Sequence, residues 1–416
     1  MKIVAAGTID AIVNALTKPL TAEEAKGEAA VSEKVETILK FTGKTYGEAA
    51  EAVNEGFLAR QWADGLPIVP PTQEAVRWML SGTSRSPNEV IGVPVVAKGG
   101  KATIEKIAIN AVMAGAKPEF LPVIIAAMEV LTDKNYHLIH LQASAGGISP
   151  LIFVNGPIAT ELGINSGIGY LGHGNRPNNT IGRAVRLCLI NLGHMWPGVN
   201  DMSLEGRTAA FGNWTFAENE KESPWKPYHV DSGFKSEDST VTVSSAMFKH
   251  RGPGGPVSPA NMSEALVAIS RIMEILRYPA DWINLTNGYP EFVIAIDPTF
   301  AQRLAKMGFS KNDVQKWLYL QARMPYSELT ETEKKRLKEG VEKGTIPPHV
   351  WLESGYKDKS AGLLPRVWEP EAIRIIVAGG APGYIMVWHY TEATPPERMG
   401  HGTKKITGAT LTNAGR

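Results

Sequence analysis

The sequence predicts an α/β fold made of two α/β units behind a helical N-terminal arm, with a mixed α+β arrangement as the alternative. Three observations lead to this prediction. Short apolar runs such as PLIFVNGP and EFVIAID alternate with amphipathic runs at helical spacing. The chain has 416 residues, which is too many for one ordinary core. Its 41 glycines and 28 prolines supply the turns that such an alternation needs.

The order of these runs predicts four regions. The first is rich in Ala, Glu and Lys and has only a weak apolar face, so it is typical of an arm that packs on another surface. The predicted regions are a helical N-terminal arm (1–60), a main α/β domain that carries the site (61–278), a smaller α/β domain (279–395) and an extended C-terminal tail (396–416).

Individual elements follow from local signals. Thr72 follows a proline-rich extended segment and is predicted to cap the next helix. A buried strand is expected to end at Asn155, and an amphipathic helix is expected over 263–277. In the smaller domain a strand, a turn and a helix precede a second helix, whose predicted caps are Ser310 and Asp313.

Composition excludes several classes of protein. The 43 basic and 42 acidic residues give a net charge of +1, so neither a nucleic-acid footprint nor an anionic membrane partner is expected. Cys188 is the only cysteine, which excludes an intramolecular disulfide and a CxxC pair. No apolar run reaches about 20 residues, and Asp10 interrupts the N-terminal one. We therefore expect a cytoplasmic protein.

The run over 155–229 has a density of glycine, asparagine, histidine and charged residues that core building does not require. Within it, GIGYLGHGNRPNN precedes a helix that Asn178, Asn179 or Thr180 is expected to cap, a pattern typical of an anion site. It is neither a Walker A motif nor a dinucleotide fingerprint. The alternative is an ordered loop with Arg183 in a structural ion pair. The predicted substrate-binding residues are Asn155, His173, Asn175, Asn178 and Arg183.

The segment AENEKESPWKPYH places carboxylates beside aromatic residues, where burial can raise a carboxyl pKa and make it a general acid or base. A solvated acidic turn is the alternative interpretation. The predicted catalytic residues are Glu218, Glu220, His229 and Asp201. If a divalent transition metal is bound instead, the candidate ligands are His173, His194 and His229.

Motifs for nucleophilic catalysis are weak, because no GxSxG occurs and Cys188 lies on an apolar helix. The preferred function is therefore acid–base catalysis, of the lyase, hydrolase or isomerase type, on a small polar or anionic molecule. One alternative is a metalloenzyme that uses histidines and carboxylates. The other is a non-catalytic substrate-binding subunit of a redox complex. A homo-oligomer is expected in each case.

Several segments together resemble a little-characterised bacterial family, found beside or fused to small proteins with a selenocysteine-or-Cys–Gly–Ser–Cys (UGSC) motif. The resemblance covers most of the chain after residue 64 and is carried by DGLPIVPPT, INAVMAGAKPEFLPV, NGPIATELGIN, NNTIGRAVRL, PGVNDMS, AENEKESPW, DSTVTV and IIVAGGAPG. It implies a separate thiol or selenol partner subunit that supplies the redox chemistry. Relatives often have cysteine after MAG, where this chain has Ala116, so no thiol is available at that position.

Overall fold

The computed structural model describes residues 38–207, 209, 211–251, 270, 290–352, 362–380, 385–390 and 400–410. The chain divides into two compact units, Met1–Ala52 and Val53–Arg416. Most of the predicted arm, all but one residue of the helix predicted over 263–277, and the domain boundary predicted at 278 lie outside the described residues.

Helices and mixed sheets together confirm the predicted α/β class. None of the helices in the described ranges is long and apolar enough to cross a membrane. The helices are α1 (Tyr46–Ala59), α2 (Gln73–Leu80), α3 (Ile104–Met113), α4 (Leu121–Leu131), α5 (Leu138–Ala143), α6 (Pro157–Glu161), α7 (Arg176–Gly193), α8 (Tyr228–Asp231), α9 (Pro298–Lys306), α10 (Lys311–Gln321), α11 (Glu331–Glu342) and α12 (Pro348–Leu352).

Within the described residues, the strands form two four-stranded sheets and two small two-stranded sheets. They are β1 (Val90–Val95), β2 (Gly100–Thr103), β3 (Ser149–Asn155), β4 (Trp214–Ala217), β5 (Thr240–Ala246), β6 (Phe248–Arg251), β7 (Glu291–Ile296), β8 (Arg323–Pro325), β9 (Leu363–Pro365), β10 (Ile373–Val377), β11 (Ile385–Tyr390) and β12 (His401–Lys405).

The two four-stranded sheets have the same topology. The first sheet has the order β4-β3-β5-β12, in which β3 pairs parallel with β4 and the other pairs are antiparallel. The second sheet has the order β10-β7-β11-β6, again with one parallel pair, β7 with β10, and two antiparallel pairs. The central strand of each parallel pair is followed by a helix that begins at a proline, α6 after β3 and α9 after β7.

In each sheet, one edge strand comes from the half of the chain that forms most of the other sheet. Strand β6 follows β5 in sequence but pairs with β11 of the second sheet. Strand β12 follows β11 but pairs with β5 of the first sheet. Strands therefore cross the predicted division between the two α/β domains, and the predicted C-terminal tail contributes the edge strand β12.

The two sheets lie between layers of helices. Helices α4 and α7 pack on one face of the first sheet, with α3 packed against both of these helices, and α9 and α10 pack on one face of the second sheet. The remaining faces of the two sheets meet in one apolar cluster that contains Leu151, Phe153, Trp214, Phe216, Ala246, Val293, Ala295, Ile376, Ala378 and Trp388. Side chains alternate across a strand, so β3 contributes to the cores on both of its faces.

Side-chain caps give several of the helix starts. Thr72 accepts a hydrogen bond from the Ala75 N–H, as predicted. Ser310 and Asp313 form the predicted capping box of α10. Helix α7 is different, because it begins at Arg176 with Asn175 as its N-cap residue. The caps predicted at Asn178, Asn179 or Thr180 are wrong, since Pro177 favours the first helical turn and starts the helix earlier.

Candidate active site

Three polar side chains meet where β3 and β4 end. The two strands are parallel, so their carboxyl ends lie at the same edge of the first sheet. Asn155 is the last residue of β3, and Glu218 directly follows β4. The Asn155 amide donates hydrogen bonds to Glu218 Oε2 at 2.6 Å and to Glu220 Oε1 at 2.9 Å. One amide group therefore bridges two carboxylates.

The environments of these two carboxylates differ. Glu218 is only 3% exposed, and burial raises the pKa of its carboxyl above the ordinary value. It accepts further hydrogen bonds from the backbone N–H groups of Tyr228 at 2.7 Å and Val377 at 3.4 Å, and Val377 belongs to the second sheet. The side chain of Glu220 is 27% exposed, and it accepts the Gly156 N–H at 2.7 Å. Glu218 therefore connects the two sheets, whereas Glu220 reaches solvent.

His229 lies beside Glu220 and is fully buried. Its Nδ1 is 3.7 Å from Glu220 Oε1, and neither ring nitrogen has a hydrogen-bond partner among the described residues. Asn155 Oδ1 and Thr240 Oγ1 are also buried and have no partner in the part of the chain that the structure describes, and these two residues are register partners across β3 and β5. Buried polar atoms are nearly always hydrogen bonded, so this group of atoms is suited to a water molecule or a ligand.

A second polar cluster adjoins the first through Tyr228. Its hydroxyl is 2.8 Å from His401 Nε2 and accepts a hydrogen bond from Arg374 Nε at 3.2 Å. Arg374 also forms a salt bridge with Glu291 at 2.7 Å. Burial, followed by the charge of Arg374, lowers the pKa of His401 well below its ordinary value of 6.5, so this imidazole is neutral at pH 7. Sequence reasoning missed this cluster, and only the position of Tyr228 beside His229 could have suggested it.

A cavity of about 600 Å³ opens beside the second cluster. Its volume is within the range of small-molecule sites. Helix α8, the start of α10 and strand β10 supply most of its lining: Pro224, Trp225, Lys226, Tyr228, Asp231, Ser232, Ser310, Lys311, Asn312, Gln315, Glu371, Arg374 and Ile375.

Asp201 lies away from these clusters. It forms a 2.6 Å ion pair with Arg207, whose guanidinium also donates to the Leu141, Gly146 and Ile148 carbonyls. The residues that carry these carbonyls precede β3 in the chain, whereas Asn155 is the last residue of β3. Seven strand residues span about 20 Å, so Asp201 is at the opposite end of the strand from Glu218 and Glu220.

Arg183 is held by Asp64. Its guanidinium donates to both Asp64 oxygens, at 2.8 and 2.9 Å, and to the Leu66 and Pro67 carbonyls. The Asp64 side chain is only 4% exposed. The structure thus contains the ion pair that the sequence offered as the alternative to anion binding, and it links α7 to the extended segment before α2.

The glycine-rich loop is ordered by its own asparagines. Asn175 donates to the Gly169 and Gly172 carbonyls, and Asn178 is buried and donates to the carbonyls of Asn165 and Tyr170. These contacts use both side-chain amides to fix the loop.

The other predicted histidines are separated. His173 is exposed in the glycine-rich loop, and His194 is exposed at the far end of α7, an 18-residue helix about 27 Å long. In the part of the chain that the structure describes, no three His, Cys, Asp or Glu residues are arranged to hold a metal ion. His229 is the member of the predicted metal set that adjoins Glu220.

Comparisons of this chain with models of known protein families, with curated proteins and with solved structures found no match.

Proposed function

We propose that this protein is an acid–base enzyme that acts on a small polar molecule, with Glu220 and His229 as its proton-transfer pair. The observation that carries the proposal is the approach of Glu220 Oε1 to within 3.7 Å of His229 Nδ1, on a buried ring whose nitrogens have no hydrogen-bond partner within the described ranges. The nearby carboxylate favours the tautomer with the proton on Nδ1. Nε2 is then a free acceptor, as a general base requires.

The remaining residues of the network have positioning roles in this proposal. Glu218 accepts the Tyr228 N–H and so fixes the backbone next to His229. Asn155 holds Glu218 and Glu220 in one arrangement. Glu220 is the partly exposed carboxylate, so it is the one that can exchange a proton with solvent. The expected enzyme is cytoplasmic and homo-oligomeric, and a thiol or selenol partner subunit is a further expectation that co-purification would check.

Side-chain NMR tests the pair before a substrate is known. We expect ¹⁵N shifts of His229 that show the Nδ1-protonated tautomer, and we expect Glu220→Gln to change them. Glu237→Gln, at an exposed carboxylate, is the matched control and should leave them unchanged. The proposal fails if His229 is protonated on Nε2 alone, or if Glu220→Gln has no effect on its shifts.

Activity is the second test. The full chain would be incubated with panels of hydroxy acids, amino acids and sugar phosphates, and consumption would be followed by proton NMR. For any compound turned over, His229→Asn and Glu220→Gln should each lower the rate by about 100-fold or more. His173→Gln should have no effect. Full activity in both site variants would exclude the assigned roles.

A further inference from the structure

The cavity beside Tyr228 is lined by two nearly buried cations, by two exposed acids and by the exposed Lys226. The side chains of Lys311 and Arg374 are 10% and 11% exposed. Asp231 is 41% exposed, and Glu371 is also exposed. A ligand in the cavity therefore meets cations and hydrogen-bond donors in a partly desolvated place, where electrostatic interactions are stronger than in water.

The two cations are held in place by other groups. Lys311 Nζ donates to Asp231 Oδ2 at 2.7 Å and to the Lys226 carbonyl at 2.6 Å. An ammonium has three donors, and the described residues occupy two of those of Lys311, so one N–H remains for a ligand. Arg374 is anchored from behind by Glu291, which is 3% exposed and does not line the cavity. These anchors fix the direction of both cations, which lowers the entropic cost of binding.

Tyr228 supplies a neutral hydrogen-bond donor. It lies between the two cations and the cluster that contains Asn155, Glu218 and Glu220. Its hydroxyl oxygen accepts from Arg374, and its position 2.8 Å from His401 Nε2 gives the proton an acceptor on a neutral imidazole. Burial raises the pKa of Tyr228, so the hydroxyl keeps its proton at pH 7. Tyr228 lines the cavity, so its hydroxyl can donate to a ligand there instead.

We propose that this cavity binds a small molecule by an oxyanion group, a carboxylate or a phosphate, through Lys311, Arg374 and the Tyr228 hydroxyl. The inference goes beyond the proposed function and does not depend on it, because neither Glu220 nor His229 lines the cavity. Binding of the oxyanion itself depends on the cavity alone. In this proposal the anion is bound by residues from α8, α10 and β10, whereas the sequence predicts anion binding by Arg183.

Calorimetric titration of the full chain with inorganic phosphate and, separately, with succinate at constant ionic strength tests the inference. We expect Lys311→Gln to weaken binding of the preferred probe by about tenfold or more, because a charge-assisted hydrogen bond is lost. Tyr228→Phe should weaken it by about fivefold. Raising the salt concentration should weaken binding to the wild-type protein as well.

Two matched variants serve as controls. Lys404 also lies 2.7 Å from an aspartate, Asp133, but it is on β12 and does not line the cavity. Lys404→Gln should therefore bind the probe as the wild type does. Tyr170 is buried in the cluster between the sheets and likewise does not line the cavity, so Tyr170→Phe is the control for Tyr228→Phe.

The inference is overturned if neither probe binds the wild-type chain, or if Lys311→Gln and Lys404→Gln bind equally well. Its failure is distinct from failure of the proposed function. Glu220→Gln should bind the probes normally even when it abolishes turnover. Normal binding with an unchanged His229 tautomer in Glu220→Gln would refute the catalytic pair while leaving the oxyanion site in place.

Discussion

Asn155 and Asp297 occupy equivalent positions in the two sheets. Asn155 follows Val154, whose carbonyl accepts the Glu218 N–H at 3.1 Å. Asp297 follows Ile296, whose carbonyl accepts the Ala378 N–H at 3.0 Å. Asp297 caps α9, whereas Asn155 bridges two carboxylates. The residue equivalent to Glu218 in the second sheet is Ala378. The two sheets share their topology, but only the first has a buried carboxylate at this position.

Loss of the Asn155 amide should destabilise the protein. Asn155→Leu keeps the approximate volume but removes the donor from two carboxylates, and we expect a loss of about 2–4 kcal/mol in the free energy of unfolding. Urea unfolding would measure it. Asn191→Leu is the control, because Asn191 donates to a neutral acceptor, Asn110, and should cost about 1 kcal/mol. Equal losses would show that the charged acceptors of Asn155 add nothing.

Replacing Glu218 should change how stability depends on pH. The pKa of the Glu218 carboxyl in the folded protein is raised above the ordinary value of 4.5. The contribution of this carboxyl to stability is therefore fully present below pH 4.5 and is lost as the pH rises through the pKa of the folded protein. Glu218→Gln keeps a side-chain oxygen that can accept from Asn155 and Tyr228. Because the amide does not titrate, the variant does not lose stability in this way as the pH rises. The stability of the variant relative to the wild type should therefore increase between pH 4.5 and 8.

Urea unfolding at several pH values checks the Glu218 prediction, with the exposed Glu237→Gln as control. A difference between Glu218→Gln and the wild type that is the same at every pH would contradict it, because the carboxyl would then titrate alike in the folded and unfolded states.

His401 should make the protein less stable in mild acid. Its folded pKa lies well below 6.5, so the unfolded chain binds more protons between the two values. The contribution of His401 to the stability of the protein is therefore fully present above pH 6.5 and is lost as the pH falls toward the pKa of this residue in the folded protein. His401→Gln should reduce this loss when unfolding is measured from pH 8 to pH 5. His173→Gln changes an exposed histidine and should retain the wild-type slope, and a common slope for all three proteins would refute the prediction.

The Arg183–Asp64 pair should affect stability more than ligand binding. Arg183→Met leaves a buried carboxylate without its partner, and we expect a loss of about 3 kcal/mol. Asp64→Asn should cost a similar amount, and the double variant should cost less than the sum of the two. Lys235→Met, in the exposed Lys235–Glu237 pair, should have little effect on stability. Normal stability with lost phosphate binding in Arg183→Met would restore the anion-binding prediction for this residue.

The candidate site could be predicted in part. The stretch over 155–229 is recognisable because its polar density breaks the side-chain periodicity of a core, and Asn155, Glu218, Glu220 and His229 from that stretch do lie in one network. Asp201, from the same stretch, lies at the other end of β3 with Arg207. The density of polar residues along the chain does not show at which end of a strand each residue lies. It therefore cannot distinguish Asp201 from the residues of the network.

The α/β class, the strand that ends at Asn155, and the caps at Thr72 and Ser310 can be predicted from the amino-acid sequence, since they depend on side-chain period and on hydrogen bonds between residues a few positions apart. The pairing of Arg183 with Asp64, 119 residues away, and the contact of Tyr228 with His401 across 173 residues are seen only in the folded chain. Such contacts depend on how the strands are ordered and exchanged between the two sheets. That order is set by packing of the whole core, and no short segment of the chain encodes it.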